Sequence, residues 1–185
     1  MKNRTISGYS IVFGVESVLM YDPVDQILFK EVIDQKAITK ELLDKSDILM
    51  TMFHDRQIIL ARSSYGHGTL SYSIDSHGVK FEFEAPSTTE GDKALELIKR
   101  GDLNGCSFMF SANRDGLERT PQKDGYVLQT VRSIKSIRDF TIAAHPAYPQ
   151  TCVVLGTSPL KSWAGQAQEL REFAGKILNN NMVWW

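Results

Sequence analysis

The segment Leu70-Ser71-Tyr72-Ser73-Ile74-Asp75-Ser76-His77-Gly78-Val79-Lys80-Phe81-Glu82-Phe83-Glu84 sets the class of the fold. Leu70, Tyr72 and Ile74 alternate with Thr69, Ser71 and Ser73, and Val79, Phe81 and Phe83 alternate with Lys80, Glu82 and Glu84. A period of two puts all the apolar side chains on one face. Asp75-Ser76-His77-Gly78 is the turn, with Gly78 able to take positive φ. The pattern is that of an antiparallel sheet packed on one side and wet on the other.

Downstream, Ser87-Thr88-Thr89 offers N-caps for a helix running through Arg100, and Thr89 and Asp92 have capping-box spacing. Ala94, Leu95, Leu97 and Ile98 form its inward side, Lys99 and Arg100 suit its C-terminal dipole, and Gly101 ends it. Strands are predicted at about 104–112, 125–132, 134–143 and 151–155. Upstream, Thr5 to Gly14 and Ile27 to Ile33 read as strands, and Lys36 to Leu43 reads as a short helix. Ile48 to Phe53 is a continuous apolar strand of the kind buried on both faces. Many short strands with few helices predict an α+β, mainly β chain: a compact antiparallel β-barrel core flanked by helices. From Pro159 the pattern changes. Leu160, Trp163, Ala167, Leu170, Phe173, Ala174 and Ile177 recur at helical spacing. The expected division is a domain over 1–157 and an amphipathic helical tail over 158–185.

Composition bounds the function. The 185 residues are 42% hydrophobic and 23% charged, with a formal net charge of −1. This is an ordinary globular balance, without the basic excess of a nucleic-acid binder. No apolar stretch reaches the roughly 20 residues of a membrane helix, and the first residues lack the apolar core of a signal peptide. Cys106 and Cys152 are too few for a disulfide framework and read as small core residues of a chain in a reducing cytoplasm. The histidines and acids show no metal-ligand spacing and there is no phosphate-binding glycine motif, so neither metal nor cofactor is expected. His67 and His77 read as surface-loop residues.

What remains is hydrolase chemistry. Ser107 lies in Gly105-Cys106-Ser107-Phe108-Met109-Phe110. In a strand, Ser107 and Met109 point one way and Cys106, Phe108 and Phe110 the other. That parity speaks against a dyad of Cys106 with His54. Ser107 is either a nucleophile or a serine bonded to local backbone. His54 closes the apolar run and is either a general base or a hydrogen-bonded rim residue. Asp55 beside it faces the opposite side of an extended strand. Asp139, in Arg138-Asp139-Phe140-Thr141, is either an exposed strand carboxylate or the group that fixes the imidazole tautomer. His145 is the rival third member, about 20 Å further along an extended chain at about 3.3 Å per residue. The order His, Ser, Asp differs from that of α/β-hydrolases and of chymotrypsin-like enzymes.

Six blocks in order carry a resemblance. They are Gly8-Tyr9-Ser10-Ile11-Val12-Phe13, Phe29-Lys30-Glu31-Val32-Ile33, His54-Asp55, Leu60-Ala61-Arg62 with Gly68-Thr69-Leu70, Ile98-Lys99-Arg100-Gly101-Asp102 running into Gly105 to Phe110, and Arg138 to Thr141 with Pro146-Ala147-Tyr148-Pro149-Gln150-Thr151. With them the chain resembles the prohead (capsid-maturation) proteases of tailed double-stranded-DNA phages, over about residues 5–155. The resemblance implies an assemblin-like fold, related to the herpesvirus maturation proteases. It implies a serine endopeptidase that clips scaffold or major capsid protein extensions, and often itself, inside the immature shell in the host bacterial cytoplasm. By position Ser107 then corresponds to the nucleophile, His54 to the general base and Asp139 to the third member. His145 stays as the alternative third member, because herpesvirus relatives use a second histidine. Met109 stands where the family often has a small residue. Assemblins act as dimers, so a homodimer through the C-terminal helix is one implied partner; packing of that helix on its own barrel is the other. By analogy with assemblins, a loop near Arg132 to Arg138 is one candidate for the oxyanion donors. A protease fold that no longer cuts, serving as a scaffold or assembly protein, is the competing reading.

Overall fold

The computed structural model describes residues 4–157. The C-terminal helix expected at Leu160–Ile177, and with it the boundary at 157/158, falls outside the described residues. Thirteen strands and two α-helices follow in order: β1 (Thr5–Val12), β2 (Met20–Asp22), β3 (Ile27–Ile33), α1 (Lys40–Asp44), β4 (Asp47–Met52), β5 (Asp55–Ser64), β6 (His67–Gly68), β7 (Ser71–Ile74), β8 (Gly78–Glu84), α2 (Thr89–Arg100), β9 (Gly105–Ser111), β10 (Leu117–Pro121), β11 (Val127–Val131), β12 (Ser136–Ala143) and β13 (Cys152–Leu155).

The β7–β8 hairpin forms as its alternation requires, with Tyr72 opposite Phe81 and Ile74 opposite Val79. Its turn departs from expectation. Gly78 does not take positive φ; it is needed because a Cβ there would lie 1.9 Å from the Ile11 carbonyl oxygen of β1. Asp75 holds the turn instead, its carboxylate accepting from the amides of His77 and Gly78 at 2.8 and 3.0 Å. His77 lies in this turn but is half-buried, its ring edge-on to Tyr9 with centroids 4.6 Å apart. Helix α2 is capped by Thr88 rather than through the Thr89–Asp92 box, the Thr88 hydroxyl accepting from Gly91 N–H at 3.2 Å. Gly101 ends it at φ +81. The single helix expected from Lys36 to Leu43 is broken. A 3-10 turn at Gln35–Ala37 is capped by Asp34, and α1 then starts afresh behind Thr39, because both side chains bond the backbone and reset it.

The antiparallel closed barrel is corrected to three open sheets. Their orders are β13-β1-β8-β7, β10-β11-β3-β2 and β6-β5-β4-β12-β9. Two central pairings are parallel, β3 with β11 and β4 with β12. The long chain between those partners supplies the crossover that parallel neighbours need and a hairpin cannot. The seams between sheets are bridged by isolated bonds instead of ladders. Leu70 N–H reaches the Arg62 carbonyl at 3.1 Å, and Val153 N–H reaches the Asn104 carbonyl at 3.1 Å.

The core joins Ile6, Tyr9 and Ile11 of β1 to Phe81, Phe83, Met50, Met52, Phe140 and Ile142, all essentially out of solvent. Burying one such side chain is worth about 1.5–3 kcal/mol. The five-stranded sheet is pinned against the first sheet at β9. Cys106 N–H donates to Thr151 Oγ1 at 3.0 Å, and that hydroxyl lies 2.6 Å from the Cys106 carbonyl. A Cβ on Gly105 would sit 2.6 Å from Pro146 Cγ, so a glycine lets the Pro146 ring lie directly on the start of β9.

Candidate active site

Three neighbouring strands build the site. In register, Thr141 of β12 stands between Thr51 of β4 and Ser107 of β9. Two residues along, Asp139 stands between Leu49 and Met109. Directly opposed residues share a face of a sheet, with Cβ atoms about 4.5–5.5 Å apart in an antiparallel pair. Ser107, Thr141, Thr51 and Asp139 therefore all present side chains on one face. The parity read from the sequence holds at β9: Cys106 and Phe108 are buried, Ser107 is part-exposed and Met109 is 40% exposed. Phe108 stacks on Phe110 with centroids 5.5 Å apart and lies 6.0 Å from the Tyr148 ring, which anchors the strand from behind.

His54 does not close a strand, as its sequence position suggested. Strand β4 stops at Met52, and Phe53 and His54 form the two-residue connection to β5 across the Met52–Asp55 pair. Both have φ +58, the sign that a type I′ hairpin turn requires. Such turns favour Asn-Gly, and a Phe-His pair there costs about 1–2 kcal/mol per residue. Phe53 N–H bonds the Ile142 carbonyl at 3.1 Å, and His54 N–H bonds Thr141 Oγ1 at 2.9 Å. Thr51 Oγ1 donates to the same Thr141 oxygen at 2.9 Å. The turn thus folds back over β12.

There its imidazole meets Asp139. His54 Nδ1 lies 2.8 Å from Asp139 Oδ1, and the two side chains are 33% and 3% exposed. Asp139 is thus a buried carboxylate, and a bulge between Ile137 and Asp139 sets its facing. An ionised carboxylate only accepts, so with Asp139 ionised this contact requires the proton on Nδ1 and leaves Nε2 its lone pair. An imidazole in that tautomer can accept a proton through Nε2, and its cationic form would be stabilised by the carboxylate behind it.

The other candidates are placed as follows in the fold. His145 is exposed, whereas Asp139 holds the His54 ring. Cys106 faces away from the site, its Sγ 3.5 Å from the Cys152 carbonyl, and burial pushes its thiol well above the usual range. Arg132, near the proposed oxyanion loop, pairs with Glu118 at 2.9 Å and with Asp34. Among the described residues, no group of three or more His, Cys, Asp or Glu side chains could hold a metal ion. The residue that sequence reasoning passed over is Thr141. Its only signal is its place two residues after Asp139, on the same face of the same strand.

Two solved structures of Kaposi's sarcoma-associated herpesvirus protease are similar to this chain. One is in complex with a hexapeptide phosphonate inhibitor: 12% identity, TM-score 0.46, covering 91% of this chain and 76% of that one. The other is in complex with an allosteric inhibitor: 15% identity, TM-score 0.47, covering 91% and 90%. No curated protein matches the sequence. A family model described as Peptidase S78, caudovirus prohead serine protease, matches residues 1–163, and the chain belongs to that family.

Proposed function

We propose that this serine protease cleaves extensions of the major capsid protein or of a scaffold protein inside the immature prohead, and that Ser107, His54 and Asp139 carry the reaction. Ser107 Oγ attacks the peptide carbonyl. His54 Nε2 takes its proton and returns it to the leaving amine, and Asp139 holds the imidazole in the Nδ1-protonated tautomer and stabilises the imidazolium. Backbone N–H groups would hold the tetrahedral oxyanion, each worth roughly 10²–10³ in rate. The observation that carries this reading is the 2.8 Å contact between His54 and the buried Asp139, set on the sheet face that also presents Ser107.

The test is the intact mass of the cognate capsid protein after co-expression with this chain, wild type beside Ser107→Ala. A shortened subunit with wild type and a full-length one with the variant supports the assignment and names the cut site. Full-length subunits in both, with shells still assembling, would sink it. Confinement in a shell raises local concentration, so co-expression is a stronger test than dilute protein. Self-cleavage and self-association through residues 158–185 belong to the same proposal, read from the mass of the protease itself and from its sedimentation.

A further inference from the structure

We infer that Thr141 is a positioning residue: its buried hydroxyl, oriented by Thr51, sets the distance and angle between the His54 turn and the strand that carries Ser107. The inference rests on the catalytic reading of His54 and Ser107 above.

The argument is one of restraint. A two-residue turn with both residues left-handed and neither a glycine nor an asparagine is not held by its own preferences. Something outside it must over-determine its shape. Two contacts from β12 do so, the Ile142 carbonyl on Phe53 N–H and the Thr141 hydroxyl on His54 N–H. The first is backbone and survives any substitution. The second is a side chain and therefore belongs to this sequence in particular. Thr141 is also the cross-strand neighbour of Ser107. One residue thus touches the backbone of the proposed base and flanks the proposed nucleophile. A hydroxyl oxygen has two lone pairs, and both are engaged here, by His54 N–H and by Thr51 Oγ1. Thr51 and Thr141 are both fully buried, so water does not compete for these bonds. A β-branched residue in a strand has few χ1 choices, which keeps the hydroxyl aimed at the turn. The carboxylate of Asp139 holds the ring at Nδ1, while Thr141 holds the same residue at its backbone N–H.

The experiment uses the full chain with Thr141→Val, which keeps the shape and removes the hydroxyl, and Thr141→Ser, which keeps the hydroxyl. On a peptide spanning the mapped capsid cut site, Thr141→Val is expected to lower kcat by about 10²-fold, the loss that a misplacement near 1 Å can cause. KM should stay near wild type and Thr141→Ser should recover most of the rate. Wild-type kcat in Thr141→Val, or equal losses in both variants, overturns the inference. If Thr141→Val does not fold, Thr51→Val replaces it. A several-fold loss of kcat restored by Thr51→Ser supports the inference, and an unchanged kcat overturns it.

A second readout needs no turnover. A proton on His54 Nδ1, held against Asp139, should give a low-field NMR signal in the resting protein; its absence from wild type overturns the tautomer on which the inference is built. Its signal should be lost or broadened in Thr141→Val and present in Thr141→Ser; an unchanged signal in Thr141→Val overturns the inference. If the wild type cleaves nothing, the functional reading fails while this signal still decides the positioning role.

Discussion

Ser107, His54 and Asp139 lie far apart in sequence, and in the fold the His54 ring meets Asp139. Asp139→Asn keeps the shape of the side chain but lets an amide N–H face the ring, favouring the wrong tautomer. Cleavage should fall by about 10³–10⁴-fold with the melting temperature little changed. His145→Ala should stay within a few-fold of wild type, since that side chain is exposed and Asp139 occupies the His54 ring. The reverse ranking, read from rates of capsid-peptide cleavage, would move the third member to His145. The facing of Ser107 was legible beforehand because strand parity is a local property and Phe108 and Phe110 declare which side is inward. The geometry of His54 was not. Phe-His carries no turn signal, so an apolar run read straight through to it, and only the contacts from β12 hold the turn. Asp139 left two readings open because its burial depends on β4 and β9, strands that lie elsewhere in the chain.

At the scale of elements, the local devices do most of the specifying. Thr88→Ala removes the cap of α2 and should cost about 1 kcal/mol, measured by denaturant unfolding. Gly105→Ala should be worse, because the new methyl meets the Pro146 ring at 2.6 Å. It should lower both stability and cleavage, as β9 carries Ser107 two residues on. A variant with wild-type stability and activity would show that the proline segment gives way freely. Elements with a clear period were legible: β3 runs from Ile27 to Ile33 as read, and β8 and α2 are close to expectation. Strand β5 went unread. It opens on Asp55-Arg56-Gln57, exposed and polar, so alternation gives no warning of it. Strand β2 is three residues long and β10 is mostly exposed, so neither shows an apolar alternation.

Across the whole molecule, one charged group works against the fold. Glu31 is buried in β3, its carboxylate accepting from Gln129 Nε2 at 2.9 Å and from the Tyr148 hydroxyl at 3.0 Å. Burial raises its pKa, and the two hydrogen bonds offset only part of that rise. The folded state therefore binds this proton more tightly than the unfolded chain does. The stability it lends is complete below the ordinary glutamate value of about 4.3 and is lost as pH rises through the elevated folded value. Glu31→Gln can keep its oxygen on Gln129 and offer its NH₂ to the Tyr148 hydroxyl. It should gain stability relative to wild type as pH rises through that window, read as melting temperature against pH. A difference that stays flat with pH would show that Glu31 titrates alike in both states. Sheet membership was the least legible feature, since the parallel pairs β3–β11 and β4–β12 depend on partners about a hundred residues apart.

Strand β12 occupies the space between β4 and β9, and it follows both of them in the chain. A chain still being made, even one long enough to expose Ser107 and His54, has a gap where Asp139 and Thr141 belong. On the catalytic reading proposed above, cleavage requires β12 to be inserted between two strands of distant origin, a slow kind of pairing. On the same reading, a chain that has made Ser107 but not β12 holds an imidazole with no carboxylate behind it.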